Sequence, residues 1–130
     1  VRVVLTNLEG EMIAKPHKRL EVWKEAMGLV TSIYKISSSF PGTEQYGLTS
    51  QIRRAAISVP SNIAEGLTRA SRKERLHFMH IARASISEID TQLEIAERLG
   101  FINQDAHVAI DGNLQQTERL LSGLIRSLKQ

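Results

Sequence analysis

The chain has 130 residues, enough for one domain that buries about two-thirds of its unfolded surface and short for two. It contains no cysteine, which excludes a disulfide framework, a thiolate metal site and cysteine nucleophilic catalysis, and fits a reducing compartment, so the expected location is cytoplasmic. The net charge of +3 is mild but unevenly spread. Arg69, Arg72, Lys73, Arg75 and Arg83 gather against the acid Glu74, with His77 and His80 among them, whereas Glu88, Asp90, Glu94 and Glu97 follow with no base between them.

The first residues, VRVVLTNLEGEMIAKP, hold only a short apolar run broken by Thr6 and Asn7, unlike the longer apolar region of a signal peptide. Nothing approaches the eighteen or so apolar residues of a membrane span, so no membrane association is expected. Residues 1–14 read as an N-terminal extension or tag remnant, and 15–130 as a single domain.

From His17 to Ser39, Leu20, Trp23, Met27, Val30 and Tyr34 recur at steps of three and four, with Ala26 and Ile33 beside them, which predicts an amphipathic helix. Phe40-Pro41-Gly42 ends it, because the residue before a proline is pushed out of the helical region. A second helix begins between Thr43 and Ser50, turns Leu48, Ile52, Ala56, Val59 and Ile63 inward, and stops near Gly66. The third starts at Ser71-Arg72-Lys73-Glu74, which matches the capping box. Leu76, Met79, Ala82, Ile86, Ile89, Leu93 and Ala96 then run to Leu99, with Gly100 placed as the left-handed C′ residue. The fourth runs from Asn103 or Gln104 to Leu128, with Ile110, Leu114, Thr117, Leu121, Leu124 and Leu128 in near-heptad order and a weak point at Gly112-Asn113. Only the alternating residues at the N-terminus compete as strand. Short links between long helices force antiparallel neighbours, so the expected fold is all-α, an antiparallel up-down four-helix bundle with its second helix kinked at Pro60.

That second helix is unusual. Pro60 cannot donate the bond an interior position would send back to Ala56, and its ring crowds the same carbonyl, at a typical cost of about 3 kcal/mol. Gln51, Arg54, Ser58, Asn62, Glu65 and Arg69 fall in one polar stripe roughly 80° wide along a flank of the Ile52 face. One reading makes this a recognition or interface stripe whose halves are re-aimed by the kink. The plainer reading has Ser58 and Asn62 satisfy the backbone around Pro60, with Ser61, Asn62 or water serving Ala56, while Glu65 and Arg69 form an ordinary surface pair.

The third helix orders its charges against its dipole, bases first and acids last, at up to about 1 kcal/mol per charge near an end. A polyanion beside Arg69 to Arg83, or a neighbouring subunit that sets acids against bases, would select that order; a screened, solvated face is the alternative. Ile57, Phe78, Ile81 and Ile95 lie off the buried faces, which points to a subunit interface.

An enzyme reading finds little to stand on. Glu74 and His77 form one E-x-x-H where di-iron bundles need two, plus two further glutamates. His77 and His80 read as a solvated pair, and neither a phosphate-cradling glycine loop nor a nucleophile elbow occurs. No catalytic residue, metal site or cofactor is expected.

Three stretches are distinctive: KPHKRLEVWKEAM, FPGTEQYGLTSQIRRAAISVPSNIAEG and ASRKERLHFMHIARASISEIDTQLEIAERLG. On these the chain resembles the four-helix-bundle family encoded by intervening sequences of bacterial 23S ribosomal RNA, which also contains the accessory variability proteins of diversity-generating retroelements. The resemblance runs from Lys15 to about Ile102 and weakens over the last helix. It implies a non-enzymatic, cytoplasmic bundle forming a ring-like homo-oligomer, a pentamer being favoured, with a basic surface. In the retroelement branch it implies nucleic acid and a reverse transcriptase as partners.

The leading functional expectation is therefore nucleic-acid binding, with RNA favoured and DNA the alternative, through Arg53, Arg54, Arg69, Arg72, Lys73 and Arg75 from several subunits, joined by Lys15, Lys18 and Arg19. Such binding is led by phosphate and sensitive to salt. Base readout is not expected, because Trp23, Tyr34 and Tyr46 look structural. The alternative is a protein-interaction scaffold or accessory subunit whose charged stripes serve only assembly.

Overall fold

The computed structural model describes His17, residues 20–130 and, before them, the backbone of two short strands, β1 (Leu5–Thr6) and β2 (Met12–Ile13). The strands pair antiparallel with Leu5 opposite Ile13. The boundary placed after residue 14, and Lys15, Lys18 and Arg19, lie outside the described residues. The rest is all-α: α1 (Glu21–Ser37), a 3-10 turn (Gly42–Glu44), α2 (Leu48–Leu67), α3 (Arg72–Arg98) and α4 (Gln104–Lys129).

Local chemistry sets the boundaries. The hydroxyls of Ser38 and Ser39 fold back onto the carbonyls of Tyr34 and Ile36, each at 2.8 Å, and so close the end of α1 before Pro41. The Glu44 carboxylate accepts from Leu48 N–H at 3.2 Å and serves an orphan donor at the start of α2. Ser71 caps α3 by accepting from Glu74 N–H at 3.1 Å. At the other end Gly100 takes φ +77°, Gly100 N–H reaches Glu97 O at 2.9 Å and Phe101 N–H reaches Ala96 O at 2.8 Å. Those two bonds make a complete Schellman motif, and only glycine adopts that backbone without strain. Asn103 caps α4 through Ala106 N–H at 2.8 Å, and the helix continues through Gly112-Asn113.

Each helix packs on two others, in the cycle α1, α2, α3, α4 and back to α1, the arrangement of a four-helix bundle. Contacts step down α4 as they climb α3: Arg72 meets Gln130, Arg83 meets Ser122 and Glu97 meets His107. The closest approach is that of α2 to α3. A Cβ on Gly66 would lie 2.6 Å from Met79 Cε and 2.9 Å from Phe78 Cβ.

The buried faces of α2 and α3 are centred where expected, with Leu48 and Leu76 half-buried at their ends and Ala55 and Gln92 added, and Pro60 is itself buried within a continuous α2. The face of α1 is rotated from the expected one. Val22, Ala26, Leu29, Ile33 and Ser37 are buried, while Met27 and Tyr34 are 39% and 38% exposed. The bulky stripe drew the expectation, but the core between four close helices accepts the smaller Val22 and Ala26 and leaves the large side chains at the rim. In α4, Ile125 is buried and Leu124 lies at the edge, for the same reason of phase.

Candidate nucleic-acid interface

The basic residues form two groups at opposite ends of α2. Arg53 and Arg54 lie in its early turns, and Arg69, Arg72, Lys73 and Arg75 surround the α2–α3 link, so the two groups are about 24 Å apart along the helix axis.

Several of these arginines hold helix ends. Arg53 donates from Nε to Ser37 Oγ at 2.8 Å and from Nη2 to Tyr34 O at 3.3 Å, and its guanidinium carbon sits 4.5 Å from the Tyr34 ring centroid. It thus places a cation on the C-terminal carbonyls of α1, where the helix dipole favours one. Arg75 Nε donates to Arg69 O at 2.7 Å, just beyond the end of α2. Arg72 Nη2 donates to Gln130 O at 2.9 Å, at the end of α4. Arg69 pairs with Glu65 and lies over the Phe78 ring at 4.9 Å, while its Nε is buried without a partner. Arg54 and Lys73 are exposed and make no side-chain hydrogen bond or ion pair with the described residues. Sequence spacing shows charge but not these long-range ties, so the structural use of Arg53, Arg72 and Arg75 was not visible there.

The fold adds two cations to the second group. Because Arg72 meets the end of α4, Arg126 and Lys129 in the last turn of that helix join Arg69, Lys73 and Arg75 at one end of the bundle. The signal that would have found them is antiparallel pairing itself, which puts the last turn of α4 beside the first turn of α3.

The polar stripe runs along the α2–α3 seam. Ser85 Oγ donates to Ser58 Oγ at 2.8 Å, and the Asn62 amide donates to Ser58 Oγ at 2.9 Å and Ser58 O at 2.8 Å. Asn62, one of three donors considered for the Ala56 carbonyl with Ser61 and water, therefore serves Ser58. At one end of the seam Gln51 and Arg54 share a shallow depression with Glu88, and at the other lie Glu65, Arg69 and Phe78. His77 and His80 are exposed, and among the described residues no three His, Asp or Glu side chains gather as metal ligands would. Among those residues no helix is long and apolar enough to cross a membrane.

Architecture and charge define a four-helix bundle with a basic end. The sequence model of the 23S rRNA-intervening sequence protein family matches residues 18–123. The chain belongs to that family. A crystal structure of a protein of unknown function from the S23 ribosomal protein family of Bacteroides thetaiotaomicron is similar, with a TM-score of 0.72 and 22% identity over 80% of this chain and 97% of that one. At that identity the likeness speaks for the fold alone. No curated protein matches the chain.

Proposed function

We propose that this protein is a non-enzymatic, cytoplasmic homo-oligomer that binds nucleic acid, RNA in the first place, through phosphate contacts at the basic end of the bundle. The supporting observation is the convergence of Arg69, Arg72, Lys73 and Arg75 with Arg126 and Lys129 at one end. An arginine that donates to neutral carbonyls keeps its charge, and phosphate is the stronger acceptor. Family resemblance favours a pentamer, which would repeat this end around a ring, and admits a reverse transcriptase as a protein partner. A kink at Pro60 would aim the two halves of the stripe.

A second reading, an assembly scaffold, draws support from the ties that Arg53, Arg72 and Arg75 make to helix carbonyls. The variant Arg69→Ala/Arg72→Ala/Lys73→Ala/Arg75→Ala separates the two. Fluorescence anisotropy with a structured RNA at about 0.1 M salt should show at least a tenfold loss of affinity, while light scattering shows an unchanged mass. Unchanged affinity with loss of assembly would favour the scaffold.

A further inference from the structure

The outer face shared by α3 and α4 has an internal symmetry of charge. On α3, Arg72 and Asp90 are eighteen residues apart, which is five turns, so both project from the same side of the helix. On α4, Asp111 and Lys129 are also eighteen residues apart and likewise share a side. The two helices run in opposite senses along this face. Arg72 therefore sits beside Lys129, whose carbonyl it meets, and Asp90 lines the same groove as Asp111. One end of the face is basic, the other acidic, and about 27 Å separates them.

Halfway between them lies a balanced pair. Arg83 Nη2 donates to Ser122 Oγ at 2.8 Å, and Arg83 Nε lies 3.5 Å from Glu118 Oε1 with no hydrogen-bond partner of its own. Arg83 lines the same groove as the carboxylates at the acidic end, but its ion pair is with Glu118. Asp90 makes no ion pair with the described residues, and Asp111 accepts only from the neutral amide of Gln115.

We propose that this α3–α4 face docks a second copy of the same chain across a two-fold axis. A rigid helix holds the opposite charges 27 Å apart, so they cannot meet within one chain. Turning a second copy end for end brings its Arg72 and Lys129 to Asp90 and Asp111, and the reverse pairs form at the other end by symmetry. The axis passes near Arg83 and Glu118, where each guanidinium can take the carboxylate of the other copy. Ile86 and Leu114 form the floor of the groove and offer apolar support to an incoming lysine or arginine stem. This contact also accounts for the reversed charge order of α3, since bases first and acids last make one face its own complement. Being isologous, it pairs copies whether each is single or part of a ring.

The inference shares Arg72 and Lys129 with the nucleic-acid reading, so its test uses protein freed of nucleic acid. Light scattering after size exclusion is run at about 0.05 M and about 0.5 M salt, where the Debye length shrinks from roughly 14 to roughly 4 Å. The expected result is a mass twofold higher at low salt. Asp90→Lys/Asp111→Lys and Arg72→Glu/Lys129→Glu should each remain at the lower mass, and mixing the two should restore the doubling, because both ends of one face are then basic and both ends of the other acidic. Restoration on mixing also shows that both variants fold. A mass independent of salt, or doubling retained by either variant alone, would overturn the proposal.

Discussion

Gly66→Ala probes the closest approach in the bundle. The added Cβ would stand 2.6 Å from Met79 Cε, 2.9 Å from Phe78 Cβ and 3.2 Å from Arg75 O. Met79 can swing its terminal methyl away, but Phe78 Cβ and the Arg75 carbonyl belong to the framework of α3. Relief requires the two helices to separate, and overpacking of this kind costs about 1–3 kcal/mol. Alanine recovers about 0.8–1.0 kcal/mol of helix propensity over glycine, which leaves a net loss of up to about 2 kcal/mol. At about 4 °C per kcal/mol for a domain of this size, the melting temperature should fall by up to roughly 8 °C. The control is Gly112→Ala, also inside a helix but with nothing within 4 Å of the added carbon, which should raise stability by about 0.5–1 kcal/mol. Both are read by thermal and urea denaturation at one protein concentration, since assembly makes the midpoint concentration-dependent. If the two substitutions stabilise alike, α2 and α3 are not packed through Gly66. The site feels the same change, because Phe78 supports the Arg69 guanidinium at 4.9 Å.

Arg53→Ala removes the cation from the end of α1 and should cost about 1–2 kcal/mol in urea denaturation, yet leave RNA affinity within about twofold, because Arg53 lies in the early turns of α2, far from the basic end of the bundle. Gln92→Leu replaces a side chain 5% exposed whose Oε1 has no partner, so chemical denaturation should show a neutral to stabilising change of up to about 1 kcal/mol. Pro60→Ala should move oligomer mass or RNA affinity more than melting temperature; a change confined to melting would assign the proline to packing alone.

How much could be read beforehand differs by element. The start of α3 and its end at Gly100 were legible because capping is local: Ser71 and Glu74 lie three residues apart, and Gly100 is where a left-handed residue must fall. The inward faces of α2 and α3 were legible because their apolar stripes are narrow. On α1 the apolar arc is broad, from Val22 through Trp23, Ala26, Met27 and Val30, and only packing against α2 and α4 decides which part turns inward. The candidate site was legible as composition and not as geometry. Arg53 and Arg72 meet partners 16 and 58 residues away, and Arg126 and Lys129 join the basic end only through the antiparallel return of α4. The eighteen-residue spacing on α3 and α4 was present in the sequence, but its meaning depends on the two helices being neighbours.

The most direct test of the proposed function is the salt dependence of RNA affinity for the wild-type chain, plotted as log affinity against log salt concentration. Four phosphate contacts from Arg69, Arg72, Lys73 and Arg75 predict a slope of about −3 per copy, between the single-strand and duplex limits, and loss of Lys73 alone should reduce it by about one contact. A slope near zero, or no binding at about 0.05 M salt by protein of intact mass, would contradict phosphate-led binding at this end of the bundle.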